Sequence, residues 1–426
     1  MAAIAANASP PLHAEATQVA TASGDNAGMD TANPTIRLRN PWRSAHPWIF
    51  QKLVDKPVQR PRPGSIVDIT GVDGEWIGRG FYNGHSRIAL RILETDPAVQ
   101  VDAAWFARKI EKAVSLRREL LQLDDVTDAW RVVHSEGDGL SGLVVDRYAD
   151  LLVVEFFSAG MHRHREWIYD ALRAQFPGCR FHAFADEHVQ KQESFDFKPW
   201  NSAGTGDAAP AIISEHGIRF RADPAGAHKT GFFADQRENR QWLSRHVEGK
   251  RVLDLCCNTG GFGVYAAVRG AAAVTGIDID EAVLEIARGN AKLNMPFVSG
   301  VKPRFVQADI FPWLRDAAAR GEQYDVVILD PAKMTRDRDQ VIPALKKYLD
   351  MNKLALGVAA PGALFATFSC TGLVSEEEFL GMLRRAAFFS GREVQVLKVA
   401  GAGADHPFLA QVPESRYLKA VFCRVS

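Results

Sequence analysis

From Ile36 to about Leu93 the apolar residues come in short stretches, Ser65–Ile69, Glu75–Gly78 and Ile88–Ile92, punctuated by Pro63-Gly64 and Asp73-Gly74 turn signals. That pattern predicts a small β-rich module. The period then lengthens: Phe106, Ile110, Ala113, Leu116, Leu120 and Leu123 recur at three and four residues, the spacing of an amphipathic helix that bridges two domains. Arg131–His134 and Gly142–Tyr148 flank a Gly-rich turn, and Leu151–Phe157 reads as a buried strand, so a compact α+β domain is expected to about Arg221. From Arg251 onward, apolar strands alternate with helix-length segments: Arg251–Leu255, Ala273–Ile277, Arg304–Gln307, Tyr324–Leu329 and Ala363–Thr367. This predicts an α/β domain with a doubly wound parallel sheet. The expected division is a disordered tail at 1–34, a β-rich domain at 35–101, a linker helix with an α+β domain at 102–222, and the α/β domain at 223–426.

Composition narrows the class. With 46% hydrophobic and 24% charged residues the chain is globular, and no apolar run approaches the roughly 20 residues that cross a bilayer. The five cysteines are an odd count without a repeated CxxC, so neither a zinc site nor a disulfide framework is expected. Residues 1–34 contain no Lys or Arg, which argues against a secretory or transit leader, and a cytoplasmic location is expected. Net charge is zero, so an anionic partner must be met by local clustering. One such cluster lies between Arg37 and Arg62, where seven Lys/Arg, among them Arg37, Arg39 and Arg43, face a single acid, Asp55. Trp42, Trp48 and Phe50 are interleaved with them. Cations for phosphates and aromatics for bases suit RNA, and a solvated basic edge with core aromatics is an equal alternative. His134 ends a strand and is read as structural.

The first α/β strand runs into Asp254-Leu255-Cys256-Cys257-Asn258-Thr259-Gly260-Gly261-Phe262, a Gly-rich turn that lets backbone approach a ligand. An anionic pyrophosphate would be repelled by Asp254, whereas the α-amino group and sulfonium of S-adenosylmethionine would be attracted. The second strand ends at Asp278, 18 residues after Gly260, where an acid can receive the ribose hydroxyls. The third ends at Asp309, placed to accept from an adenine amino group. Three acids at three successive strand ends point to one cofactor pocket.

Strand four ends Asp330-Pro331-Ala332-Lys333-Met334 and strand five ends Ser369-Cys370-Thr371-Gly372, on the same edge of the sheet. Carbon 5 of a pyrimidine becomes nucleophilic only after a nucleophile adds at carbon 6, and Cys370 is the candidate for that addition. Asp330 is the candidate to hold the N3 edge of the base. The other reading of Cys370 is a small buried residue closing a strand. The helix that follows is expected to open at a capping box, Ser375 with Glu378.

These residues resemble the large-subunit ribosomal RNA cytosine-5 methyltransferases that carry an N-terminal PUA domain. Lys229-Thr230-Gly231-Phe232-Phe233-Ala234-Asp235-Gln236-Arg237-Glu238-Asn239-Arg240 is similar to that family's K-T-G-F-F-x-D-Q-R-x-N-R stretch, and Asp254–Phe262 to its D-x-F-C-x-T-G-G-F. Ser369–Gly372 resembles S-C-S-G, His406-Pro407 with Tyr417-Leu418-Lys419 resembles H-P…Y-L-K, and Arg37–Phe50 resembles the PUA opening. The resemblance implies a class I methyltransferase fold, Rossmann-like, behind a PUA domain and a small α+β domain. It implies S-adenosylmethionine held by Phe233, Asp235, Gln236, Arg237, Asp254, Cys256, Asn258, Thr259, Gly260, Asp278, Ile279, Asp309 and Ile310. It further implies ribosomal RNA met by Arg37, Arg39, Arg43 and Lys333, and a homodimer. Two departures from the pattern matter: D-P-P-K-F appears as Asp330-Pro331-Ala332-Lys333-Met334, without its second proline, and Cys256 replaces an aromatic residue. In two-cysteine RNA cytosine methyltransferases a second cysteine fills the slot of Lys333, so this chain fits the single-cysteine group, and the base that removes the carbon-5 proton is not identified. Methylation of a ring or exocyclic nitrogen, and a non-catalytic ribosome-assembly role, remain the alternatives.

Overall fold

The computed structural model describes residues 33–204, 208–224, 230–295 and 301–426, and Pro34–Ser426 form one compact unit. The expected tail, Asn33 and Pro34 apart, lies outside the described residues, as does Lys229. The β-rich module is a five-stranded sheet of β1 (Thr35–Arg37), β2 (Trp48–Phe50), β3 (Ser65–Thr70), β4 (Trp76–Tyr82) and β5 (Ile88–Glu94), in the order β1-β3-β4-β5-β2. Alternate positions of these strands point inward, and Ile36, Ile49, Val67, Ile69 and Leu90 pack there in one buried cluster.

The linker begins as expected. The Asp102 carboxylate accepts from Trp105 N at 2.8 Å and caps α1 (Ala103–Ser115), which buries Phe106, Ile110 and Ala113. The stripe predicted to continue through Leu120 does not. Leu116–Leu120 is a π turn, Leu120 is 74% exposed, and Arg117 is fully buried. The extra residue in the hydrogen-bonded ring carries Leu120 off the buried face, while Arg117, seven residues after Ile110 and four after Ala113, stays on it. There it meets both oxygens of Asp138, at 2.5 and 2.8 Å, and the carbonyls of Arg131 and Asp405.

The middle sheet has the order β10-β9-β8-β7-β6. Its strands are β6 (Ala129–His134), β7 (Leu143–Tyr148), β8 (Leu151–Phe156), β9 (Arg180–Phe184) and β10 (Trp200–Asn201), with α2 (Ala159–Arg163), α3 (Arg165–Gln175) and α4 (Glu187–Glu193) in the connections. A hairpin of β11 (Ala211–Glu215) and β12 (Ile218–Ala222) follows, then α5 (Arg237–Ser244).

The last sheet contains β13 (Arg251–Leu255), β14 (Ala273–Asp278), β15 (Arg304–Gln307), β16 (Tyr324–Leu329), β17 (Ala359–Ser369), β18 (Val394–Ala400) and β19 (Lys419–Val425), in the order β15-β14-β13-β16-β17-β19-β18. Helices α6 (Gly261–Val268), α7 (Glu281–Leu293), α8 (Ile310–Ala319), α9 (Val341–Gly357) and α10 (Glu376–Ser390) make its crossovers. β13 to β17 are parallel, as the alternation predicts, but β19 runs antiparallel to both β17 and β18, so the sheet is mixed. The segment Gly401–Leu418 contains no α-helix to cross over a sheet face, so the chain returns beside its neighbour in the opposite sense. The strand order reverses between β13 and β16. The crevice outside the carboxyl ends of the strands at that reversal is where such sheets bind ligands.

The hairpin joins this sheet to the middle one. Asn294 and Asn290 of α7 accept from Arg219 N and Arg221 N at 2.9 and 2.8 Å, which covers the β12 edge. Asn290 also donates to the carbonyl of Thr259 at 2.9 Å, in the turn after β13. Among the described residues no helix is long and apolar enough to cross a membrane.

Candidate active site

β13 carries Asp254 to the crevice with 1% of its surface exposed. Its Oδ2 accepts from Gly263 N of α6 at 2.9 Å, while Oδ1 is buried without a hydrogen-bond partner. Burial, with Asp330 and Asp278 adding repulsion, pushes this carboxyl up to about 8. An unpartnered buried acceptor among acids is a seat for a cationic ligand group, and it fits the α-amino or sulfonium charge of S-adenosylmethionine.

The turn that follows is strained. Cys256, Asn258 and Gly260 have φ of 58°, 48° and 77°, and the two non-glycines cost about 1–3 kcal/mol each. Asp278 offsets part of this, since its Oδ2 accepts from Asn258 N at 2.9 Å, and Asn258 Oδ1 accepts from Thr259 N at 2.8 Å. The expected ribose acid is thus also the brace of the loop. Ile279 beside it is 69% exposed. Asp309 caps α8 by accepting from Phe311 N at 2.9 Å, and Ile310 is buried against that helix's core. The three acids stand at the ends of β13, β14 and β15, which are neighbours in the sheet.

The Phe233–Arg240 segment closes the crevice from the other side. Gln236 donates from Nε2 to Asp330 Oδ2 at 2.9 Å and is itself held by Asn239 at 2.7 Å. Asp235 is buried and accepts from Tyr417 OH at 2.5 Å, and Phe233 is half-buried. The Arg237 guanidinium is spent within the fold on Asp405 (2.9 and 3.2 Å), Glu238 and the carbonyl of Ala129. Asp405 also accepts from Arg131 N and His406 Nδ1, and these partners hold its carboxyl well below the usual range despite complete burial. His134, with no partner visible in the sequence, packs beside His406 and contacts Arg131 at 2.9 Å; burial, with Arg131 nearby, keeps it neutral well below its ordinary pKa.

On the catalytic edge, Cys370 directly follows β17 and its Sγ lies 4.0 Å from the carbonyl of Pro331, which directly follows Asp330. The turn is braced through Thr371, whose hydroxyl bonds Tyr348 OH at 2.9 Å and accepts from Met334 N at 3.0 Å. Ala332 and Lys333 are exposed on the loop after β16. The Ser375/Glu378 capping box is present at the start of α10. Among the described residues no group of His, Cys, Asp or Glu could hold a metal ion.

Arg37, Arg39 and Arg43 lie exposed on the first domain; Arg37 donates to the carbonyl of Val72, and Arg39 pairs with Asp55 at 3.4 Å. Of the aromatics expected to stack on bases, only Phe50 is largely open. Trp42 packs on the sheet core, and Trp48 donates its indole N–H to Glu136 of the middle domain at 2.8 Å. A second group of arginines, not foreseen in the sequence, lies near the catalytic edge beside Asp337 and Asp339. Arg87 of the first domain joins Arg336 and Arg338 in a cleft of about 500 Å³ that reaches Leu373, three positions beyond Cys370. None of these arginines takes part in an ion pair among the described residues. The Arg336-Asp337-Arg338-Asp339 alternation sums to zero charge, which hid them. Lys419 was also missed as a site residue, although a lysine opening the apolar strand Lys419–Val425 is a visible anomaly.

A family model described as a PUA-like domain matches residues 37–95, and one described as an S-adenosylmethionine-dependent methyltransferase matches residues 183–371. The chain is 38% identical over 380 residues to ribosomal RNA large subunit methyltransferase I of Aeromonas hydrophila, across 89% of this chain and 95% of that one. It is 37% identical over 382 residues to the Escherichia coli protein of the same name, with the same coverage of 89% and 95%. A methyltransferase solved in complex with SAH shares the fold at a TM-score of 0.76 and 19% identity, over 92% of this chain and all of that one. An S-adenosylmethionine-dependent methyltransferase from Streptococcus mutans matches at 0.74 and 18%, with the same 92% of this chain covered.

Proposed function

The chain belongs to the large-subunit ribosomal RNA methyltransferases that join a PUA-like domain to an S-adenosylmethionine-dependent methyltransferase domain, and we propose that it methylates carbon 5 of a cytosine in that RNA through Cys370. The observation that carries this reading is the meeting of three segments at the switch point. Cys370 sits against the carbonyl of Pro331, and Asp330 beside it is oriented by Gln236.

S-adenosylmethionine, when bound, supplies an electrophilic methyl group. Asp254 would offer its open oxygen to the cofactor's cationic part, Asp278 and Asp309 would receive its ribose and adenine, and Ile279 and Ile310 would flank them. The backbone of Cys256, Asn258, Thr259 and Gly260 lets the ligand approach, and Phe233, Asp235, Gln236 and Arg237 form the facing wall. Cys370 attacks carbon 6 of the cytosine as a thiolate, and the new C–S bond pushes electron density to carbon 5. As the adduct forms, N3 takes up a proton from solvent, and Asp330 accepts a hydrogen bond from that N3–H. After methylation, carbon 5 gives up its proton to solvent, the C–S bond breaks to return the thiolate, and N3 releases the proton it had taken up. The RNA backbone is held by Arg37, Arg39, Arg43 and Lys333, together with Arg87, Arg336 and Arg338 of the cleft. The protein works in the cytoplasm as a homodimer, and the exposed Val396, Leu397 and Val399 of the edge strand β18 are an apolar surface available for that contact.

The test is to incubate the full chain with S-adenosylmethionine and unmodified large-subunit rRNA and identify methylated nucleosides by mass spectrometry. The expected result is 5-methylcytidine that disappears in Cys370→Ala. Methyl on nitrogen, or an active Cys370→Ala, refutes the covalent route.

A further inference from the structure

Lys419 opens β19, and its register partner in β17 is Ser369, the residue before Cys370. It is 3% exposed. Its Nζ donates to the carbonyls of Thr371 and Tyr417 at 2.7 and 2.8 Å, so two of three N–H groups hold the backbone around the cysteine. Both acceptors are neutral, and Lys419 is in no ion pair with a carboxylate among the described residues. A buried ammonium without a counter-ion is costly, and such groups are found paired.

The charged groups that bear on it most strongly are Cys370 after β17, Arg416 before β19, Lys333 after β16 and Glu376 of α10. Arg416 and Lys333 are cations. Glu376 is taken by Arg416 at 2.6 Å. Tyr348 of α9, which bonds Thr371, is neutral, its hydroxyl pushed up by burial to about 12. Among these groups the remaining anion is a thiolate at Cys370, the residue before the Thr371 whose carbonyl Lys419 holds.

We infer that Lys419 is a positioning residue whose ammonium serves as the counter-ion of the Cys370 thiolate while its N–H groups fix the turn that carries the sulfur. This rests on Cys370 as the nucleophile. The chemistry balances simply: the S–H bond breaks heterolytically, its electron pair stays on sulfur, the proton goes to solvent, and the ammonium keeps its three hydrogens. A neighbouring lysine lowers a cysteine's pKa in this way. Burial brings the Lys419 amine down to about 8, so its charge is present at neutral pH and fades above that value.

The experiment needs no substrate. Alkylation of Cys370 by iodoacetamide is followed by mass spectrometry of its peptide from pH 5.5 to 10 in the wild type, Lys419→Arg, Lys419→Gln and Lys419→Met. Lys419→Gln keeps a donor for the carbonyls without the charge, and so reports even if Lys419→Met does not fold. The inflection should rise by at least about one pH unit in Lys419→Gln and Lys419→Met, a tenfold loss of thiolate at neutral pH, and be largely restored in Lys419→Arg. An unchanged inflection in folded Lys419→Gln overturns the inference. The Cys370→Ala methylation assay is separate: an active variant there removes the nucleophile reading, while a shifted inflection would still establish the ion pair.

Discussion

Asp405 and Asp254, two of the buried aspartates of this protein, are treated in opposite ways. Asp405, in the seam between the middle and catalytic domains, meets Arg237 through both oxygens, with Arg131 N and His406 also donating. Its charge is stabilised and its carboxyl stays ionised far into acid. Asp254, at the end of β13, has one backbone amide and two nearby acids, and its carboxyl is pushed up to about 8. Burial alone does not distinguish them. The difference lies in what the fold provides: a complete set of donors where the carboxylate joins domains, and an open position where it is to receive a ligand.

The most disruptive test of this contrast is Asp405→Ala, which leaves buried Arg237 with only the half-exposed Glu238 as a counter-charge. We expect a loss of about 3–5 kcal/mol, read from urea unfolding, and a smaller loss when Arg237→Met is added, because the stranded charge is then gone too. Asp254→Asn should do the reverse: unfolding stability at pH 7 equal to or above the wild type, but S-adenosylmethionine affinity lower by about tenfold or more, since one buried charge contact is worth at least about 1.4 kcal/mol. Equal stability losses in Asp405→Ala and Asp254→Asn would erase the comparison.

The pH dependences should also oppose each other. For Asp254 the folded carboxyl titrates near 8 and the unfolded one near 3.9, so the folded chain holds a proton that the unfolded chain has lost between these values. The stability this contributes is full below about pH 4 and falls as pH rises toward 8. For Asp405 the folded value is depressed, so its contribution is present above about pH 4 and is lost as pH falls through the folded value. Urea midpoints between pH 5 and 8 should therefore decline more steeply in the wild type than in Asp254→Asn, and parallel curves would count against the raised carboxyl. The smallest effect is calorimetric. Cofactor binding at pH 7 should release about one proton from Asp254, seen as a buffer-dependent heat that Asp254→Asn lacks.

Much of this was readable in the chain. The alternation from Arg251 located β13 to β17, because parallel strands buried on both faces are continuous apolar runs, and the acids at their ends came with them. The Ser375/Glu378 box was a local signal with a local cause. β18 and β19 were not foreseen, nor was the reversal of β19, since direction depends on whether a connection crosses a sheet face. The aromatics of the first domain were read equally as base stackers or as core, and Trp48 serves a neighbouring domain.

By itself, then, the sequence determined the classes of layer, the strand ends and the chemistry carried to them, because periodicity and turn residues act over a few positions. Only the tertiary structure decided which charge meets which. Arg117 was met by Asp138 from the far end of β6, Asp405 was met by Arg237 across 168 positions, and Lys419 was set beside Cys370 by the register of β17 and β19. Pairings of that kind are fixed by packing between distant segments, and no local pattern encodes them.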